Sequence, residues 1–566
     1  MQGNSEYAHK GEKMKKITFG NPELFVPSKY CSGFCCEETE VAYPIHRITF
    51  RTNARGCVLE FPLGEEQIYG FGLQLNGFNQ KNKELFLRVN ADPTKNTGDS
   101  HAPVPFFATT KGYGIYFDTA RNMEVQCGVE TALEKENVMT VQILNAKGID
   151  IYIIEGTDIT DTVAQYNRLS GSGCEVPEWG LGVLYRCNWH YPQDRVLETA
   201  AYFRNAKIPC SILGLEPGWH THNYPCSYEW NKEMFPDPDG MVKKLKEMEF
   251  HLNLWEHAYI SEDSPVYEAM KPYSGNYRVL GGLVADLASE EGADIISEYH
   301  KKTFTDIGID GFKLDECDNT NIVDYGWRMF PNCSQFPSGL DGEQYHNLFG
   351  VLYMKTILKA LDGKPTLSQV RSAGALCASY PFVLYSDLYE HKDFIRGIVN
   401  SGFSGILWSP ELRHAKSKME LLRRLQTVVF SVQCLINGWY CDEVPWKQFN
   451  CESEVRALLQ EREKQIPRLM KAFERYKETG IPPVRALVMD YTDDPETYEI
   501  DNEYLFGADL LVAPMTEEEE MRKVYLPAGE WVDYWTGEIV PPGWHEAQTD
   551  NIPVYQCKNT AKSPIT

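Results

Sequence analysis

Between Cys174 and about Asn450 the sequence repeats one pattern: a short apolar run, a polar loop and, for most repeats, a stretch of helical periodicity. The apolar runs are Gly180–Tyr185, Cys210–Leu215, His251–Trp255, Gly311–Leu314, Thr366–Val370, Phe382–Tyr385, Gly405–Trp408 and Val432–Ile436. Helical stretches over Arg195–Ala206, Met241–Met248, Ala293–Ile307, Tyr345–Leu361, Asp393–Asn400 and Lys418–Phe430 alternate with them. Eight strands interleaved with helices predict a (β/α)8 TIM barrel of the α/β class. In such a barrel the chemistry sits at the C-terminal ends of the strands, so the polar residues after each apolar run become the candidates.

The flanks have a different rhythm. Arg47–Arg51, Gly112–Phe117, Met139–Leu144 and Ile149–Ile154 are β-rich runs separated by Gly, Pro and Asn, which predicts an N-terminal antiparallel β-sandwich. After a helical segment over Val455–Thr479, the runs Leu510–Pro514, Val524–Pro527 and Trp531–Trp535 predict a small C-terminal β-domain. The expected division is residues 1–170, 171–480 and 481–566.

Charge narrows the partners. With 55 Lys+Arg against 80 Asp+Glu the chain carries −25, which repels phosphate backbones and anionic lipid, so neither nucleic acid nor a membrane is expected as partner. Neutral ligands remain, and 12% aromatic residues suit sugars, which have apolar faces and hydroxyl edges. Met1–Phe19 is polar and Lys-rich without an apolar signal core, pointing to the cytoplasm. The sixteen cysteines lack Cys-x-x-Cys spacing and are expected as reduced, mostly buried thiols. Oligomeric state is open, a homo-oligomer included.

The fourth run ends Gly308-Ile-Asp-Gly-Phe-Lys-Leu-Asp-Glu-Cys-Asp318, which sets Asp315 and Asp318 at the catalytic face with Lys313 one same-side step before Asp315. The sixth, Phe382-Val-Leu-Tyr-Ser-Asp387, brings another carboxylate to that face. Two carboxylates from non-adjacent strands are what glycoside hydrolysis needs, one to attack the anomeric carbon and one to protonate the leaving oxygen. A salt-bridged rim of Lys313 with Asp315 would be the plainer use. Other strand ends add Arg186, Glu216, Trp219, Trp255, Arg371, Trp408, Glu411 and Asn437, groups that can stack on a pyranose or hold its hydroxyls. Each Trp taken singly belongs more often in a core. His220-Thr-His222 with His251 or His257 suggests metal only weakly, because no His-Glu-x-x-His helix accompanies it; neither metal nor cofactor is expected.

These motifs resemble glycoside hydrolase family 31, retaining α-glycosidases built from a β-sandwich, a (β/α)8 barrel and C-terminal β-domains. The segment through Asp318 is similar to the family's nucleophile strand, and Arg371-Ser-Ala-Gly with Tyr380-Pro381 and Asp387 to its acid/base segment. Glu443-Val-Pro-Trp446, Gly480–Arg485, Phe506–Pro514 and Val524–Gly537 are similar to further family segments. The resemblance implies Asp315 as nucleophile and Asp387 as general acid/base, with Glu216, Trp219, Trp255, Lys313, Arg371, Trp408, Glu411 and Asn437 binding the sugar. The sequence departs from the family pattern at Leu384, Ser386, Glu411, Asn437 and Glu216, all around the sugar. Lys313 two places before the nucleophile is similar to α-xylosidases, and Glu216-Pro-Gly-Trp219 resembles α-galactosidases of related barrels.

The expected activity is exo-hydrolysis of a terminal α-linked glucoside, galactoside or xyloside, carried by a small oligosaccharide or glycoside, through a β-glycosyl-enzyme. The alternatives are an α-glucan lyase or a transglycosylase using the same nucleophile, or a carbohydrate-binding barrel whose catalysis has decayed. Asp387 is expected with the higher pKa, and Asp315 is expected to be held ionised by Lys313 and Arg371.

Overall fold

The computed structural model describes residues 13–91, 97–129, 137–319 and 329–558. The first residues of the Lys-rich N-terminal stretch, 1–12, lie outside the described ones. The N-terminal part is two five-stranded antiparallel sheets packed face to face. In one, Lys147–Glu155 pairs with Lys13–Asn21 on one side and Tyr113–Asp118 on the other. Side chains alternate across a strand. Ile149, Ile151 and Ile153 accordingly fill the sandwich core, while Tyr152 and Ile154 join the main core with the barrel. Burial on both faces is why residues 151–154 read as an unbroken apolar run.

The barrel strands, one to eight, begin with Val183–Arg186, Ile212–Leu215, His251–His257 and Gly311–Asp315. Ser368–Val370, Phe382–Leu384, a divided seventh strand and Cys434–Asn437 complete the set. All pair in parallel in the order of a (β/α)8 fold. Strand seven departs from the expected run. Gly405 turns in the left-handed region at φ 67°, Leu407–Trp408 pairs with strand six, and Glu411–Leu412 pairs with strand eight. Between them, Ser409 donates its backbone N–H to Leu384 O at 3.1 Å and its hydroxyl to Gln433 O at 2.5 Å. Pro410 has no N–H for a ladder, so the strand breaks there, yet the two halves close the sheet into a ring.

Helices cover the ring, and several start at a readable cap: Asp341 makes a capping box with Gln344, and Ser289 and Ser417 accept from Gly292 N and Glu420 N. One element was not foreseen. After strand three the chain forms a small antiparallel sheet of Tyr259–Ile260, Ser274–Val279 and Gly282–Ala285 before the helix Glu290–His300. Beyond the barrel, the helix Glu452–Thr479 runs past an internal Pro467 into a six-stranded sheet and a two-stranded one around Trp531, Leu511 and Val524. All sixteen cysteines are free, and most are buried. Among the described residues no helix is long and apolar enough to cross a membrane.

Candidate active site

Strands four and six deliver their carboxylates to one guanidinium. Arg371, just past strand five, is fixed by its backbone N–H to Leu314 O at 2.8 Å. Its Nη1 donates to Asp387 Oδ2 at 2.6 Å and lies 3.7 Å from Asp315 Oδ1, while Nε donates to Asp318 Oδ2 at 3.0 Å. Asp315 is the more confined acid. Trp255 Nε1 donates to its Oδ2 at 2.7 Å and the Glu316 N–H to its Oδ1 at 2.8 Å. Glu316 itself adopts φ 57°, a left-handed conformation that costs a non-glycine residue about 1 kcal/mol, so the chain turns sharply right after the carboxylate.

Electrostatics separate the two acids in a sense opposite to the expectation. Burial pushes the Asp315 carboxyl above its ordinary range, overcoming Arg371 and Lys313, and the Asp387 charge adds to the rise. Burial acts the same way on Asp387, but Arg371 and Lys313 outweigh it and bring that carboxyl down to about 2. The physical reason is distance: the shared guanidinium is 2.6 Å from Asp387 and 3.7 Å from Asp315. Asp387 is therefore an ionised partner of Arg371, and its side chain is 49% exposed against 13% for Asp315.

The floor of the site is a buried ion cluster. Glu216, after strand two, pairs through Oε1 with Arg186 Nε and accepts from Lys313 Nζ at 3.3 Å on both oxygens. Arg186 Nη1 also donates to Asn253 and Gln369 at 2.8 Å each. Lys313 Nζ lies 4.8 Å from the Tyr385 ring centroid and 5.7 Å from that of Trp439, which places an aromatic corner beside the cation. On the side of strands seven and eight, Asn437 donates to Glu411 Oε2 at 3.0 Å, and Arg413 Nε stands 3.5 Å from Glu411 Oε1. Burial raises the Glu411 carboxyl against the pull of Arg413 and the Asn437 hydrogen bond. Glu411 Oε1, Arg413 Nε, Tyr385 Oη and Trp439 Nε1 are buried without a directed hydrogen bond. Glu411 Oε1 and Arg413 Nε face one another, which leaves Trp439 Nε1 as a buried donor that a ligand hydroxyl can satisfy.

Of the residues singled out from sequence, Asp315, Asp387, Arg371, Lys313, Glu216 and Trp255 are joined by direct contacts, and Glu411 pairs with Asn437. Trp219 and Trp408 are not platforms. Trp219 is fully buried against Trp230, Phe304 and His220, and its N–H donates to Trp255 O at 2.8 Å, so it backs Trp255. Trp408 donates to Phe394 O at 3.2 Å and packs on the helix His391–Ser401. The histidines around His220 bind backbone carbonyls: His220 faces Trp255 O, His222 Pro225 O and His257 Asn223 O.

Sequence reasoning missed His101. From a loop of the sandwich it reaches Asp318 Oδ2 with Nδ1 at 2.7 Å and Ser386 Oγ with Nε2 at 2.8 Å, and all three residues are buried. Burial would raise Asp318, but Arg371 and the His101 hydrogen bond hold its carboxyl below the ordinary range. An ionised Asp318 only accepts, so Nδ1 carries the proton. Ser386 Oγ in turn accepts from Leu388 N at 3.1 Å, which ties both sides of Asp387 to the end of strand four. Trp439 and Tyr385 were also passed over, although both follow strand ends by the same rule that found Asn437 and Asp387.

Comparison with known proteins agrees with this architecture. Residues 174–472 match the glycosyl hydrolases family 31 TIM-barrel domain and residues 480–561 the family 31 C-terminal domain. An alpha-xylosidase of Emericella nidulans is 24% identical over 83% of this chain and 61% of its own length. Alpha-glucosidase 2 of Bacillus thermoamyloliquefaciens is 25% identical over 90% of this chain and 68% of its own. The chain thus spans roughly two thirds of the length of these relatives. Among solved structures, a family 31 dextranase of Flavobacterium johnsoniae, complexed with glucose, superposes with a TM-score of 0.80 at 23% identity, covering 90% of this chain and 67% of that one.

Proposed function

Because the chain belongs to glycoside hydrolase family 31, we propose that it is an exo-acting α-glycosidase that releases a terminal α-linked sugar with retention, Asp315 attacking and Asp387 serving as acid and then base. One observation carries the reading: carboxylates from strands four and six meet at a single nitrogen, Arg371 Nη1. With legs of 2.6 and 3.7 Å, the two facing oxygens are at most about 6.3 Å apart. That bound favours the short carboxylate spacing of a double displacement over the wider one that admits a water in an inverting site.

The contacts support the following cycle. A sugar ring on the floor of Glu216, Lys313 and Tyr385 presents its anomeric carbon to Asp315, which Trp255 and the Glu316 N–H aim. The glycosidic oxygen enters beside Asp387 and competes with it for Arg371. Losing part of that ion pair in a drier site raises the Asp387 pKa, so the carboxyl takes up a proton and gives it to the departing oxygen. Asp315 forms the glycosyl ester as the bond to the leaving oxygen breaks. Asp387, now a carboxylate, deprotonates the water that cleaves the ester and frees the sugar.

The buried, ion-paired floor suits a small sugar. Glucoside, galactoside and xyloside all remain in the proposal, and the names of the relatives, alpha-xylosidase and alpha-glucosidase, favour the first and last. The test is a parallel assay on p-nitrophenyl α-glucoside, α-galactoside and α-xyloside with the product anomer followed by NMR. An α-anomer as first product supports the reading and a β-anomer overturns it. An unsaturated anhydro sugar would instead assign a lyase, oligosaccharide products a transferase, and binding without turnover a decayed barrel.

A further inference from the structure

On the seam between the helix Glu452–Thr479 and the C-terminal sheets lies a cleft of about 430 Å³, lined by none of the residues placed in the active site above. Lys464, Arg468, Lys471 and Arg475 line it from one face of the helix, spaced at intervals of three and four residues, and Arg485 enters from the first strand of the C-terminal domain. The only acid in the lining is Asp509. In a chain of net charge −25 this local excess of cations runs against the whole.

Most of the lining charge is already matched. Arg468 donates to Asp509 Oδ1 at 2.8 Å, and Gln556 occupies Oδ2 at 2.7 Å, so Asp509 has little left to give. Arg485 is held by both oxygens of Asp490 at 2.9 and 2.8 Å, and Lys464 by Glu461 at 2.9 Å. Two cations remain, Lys471 and Arg475, four residues apart on the same helical face. Neither side chain makes a hydrogen bond or an ion pair with a described residue. Arg475 is also partly buried, and burial with the Arg485 charge lowers its pKa against the pull of Asp490, whose two oxygens are already held by Arg485. A half-desolvated guanidinium whose favourable acid is hydrogen-bonded to another arginine keeps its own donors for an added anion.

We infer that this cleft binds a small phosphate monoester, its dianionic group held by Arg475 and Lys471 and its body against Ala472, Ile481 and Pro482. A guanidinium presents paired N–H donors that match two phosphate oxygens, and the ammonium reaches the third. The cleft is too small for a macromolecule and holds a phosphorylated mono- or disaccharide comfortably. The site is independent of the glycosidase reading.

Thermal unfolding and calorimetric titration of the full chain with glucose 6-phosphate and with inorganic phosphate, each against sodium chloride of equal ionic strength, test it. The unaltered protein is expected to gain about 2 °C in Tm at saturating ester. In the R475Q/K471Q double variant the affinity is expected to fall at least about tenfold, as for loss of one to two charge-assisted contacts. A control double variant at exposed barrel-helix lysines, K243Q/K244Q, keeps both. Tighter binding of the sugar ester supports the inference. Equal binding of inorganic phosphate, lost in R475Q/K471Q, supports the anion pocket but overturns the ester body. Binding unchanged in R475Q/K471Q, or a shift reproduced by sodium chloride, overturns it entirely.

Discussion

Asp315 and Asp387 stand at the ends of two strands of one ring and share one arginine, yet they are built in opposite ways. Asp315 is walled in by Trp255, the Glu316 N–H and the ion cluster around Lys313, with 13% of its side chain exposed. Asp387 is half exposed, and nearby cations, Arg371 first and then Lys313 and Arg413, set its charge. A fixed nucleophile and a responsive acid suit a reaction in which one group must hold its aim and the other must change protonation twice. In the roles proposed above, the pKa order of the two acids follows the nearer counter-ion and not the direction of proton donation.

The sharpest way to break the contrast is to remove each acid in turn. Asp315→Asn is expected to lower kcat by about 10⁴-fold or more on every substrate, since no other group can form the ester. Asp387→Ala should cost about 10²–10⁴-fold with poor leaving groups and far less with activated aryl glycosides, and azide should restore rate to it alone. Equal losses on both substrate types would deny Asp387 its role. Next in size is the floor: Glu216→Gln strands Arg186 and Lys313 together and should destabilise the fold by about 3–5 kcal/mol, read by urea unfolding. A change below about 1 kcal/mol would mean that the cluster is hydrated.

His101 sharpens the comparison, because through Ser386 it links the segment that carries Asp387 to Asp318 at the end of strand four. His101→Ala is expected to reduce kcat about 10–100-fold with little change in KM, more on poor leaving groups than on activated ones, with His101→Gln recovering part of it. A rise in KM alone would assign His101 to sugar binding. The smallest effect is a proton. If ligand frees Asp387 from Arg371, its folded pKa rises from about 2, and binding of a neutral glycoside inhibitor should draw protons from buffer. The uptake should be greatest at the acid end, near pH 4–5, and fade toward neutrality. Calorimetry in buffers of different ionisation enthalpy measures it, and zero uptake across that range would show that Asp387 keeps its charge. Without ligand the sign is the reverse. A depressed Asp387 stabilises the fold above its unfolded pKa near 4, and that contribution drains away as pH falls toward 2.

Much of this was legible in advance where local pattern decides. Apolar runs ending in polar or charged residues located all eight barrel strands, and Asp315, Asp387 and Arg371 fell where strand ends put them. Legibility failed where geometry is set from afar. Residue type cannot say which side of a wall an indole takes, and so Trp219 and Trp408 went to the core. The inserted sheet turns at Leu280-Gly281, both with positive φ, where an Asn-Gly pair would have announced the hairpin and Leu hides it. His101 lies 217 residues from Asp318, in a loop with no motif of its own.

That loop has a consequence for how freely this chain can be taken apart. The sandwich is sewn to the barrel at two places: Ser372 donates to His101 O at 2.7 Å beside the site, while Gly72 N donates to Ser404 Oγ at 3.0 Å and Tyr69 stacks on Phe403 at 5.0 Å just before strand seven begins. A free-standing barrel would carry Asp318 and Ser386 with their partner gone. In recombination between relatives, the two segments must therefore travel as one inheritable block, and a new specificity grafted onto the barrel alone would bring the wrong neighbour to its acid.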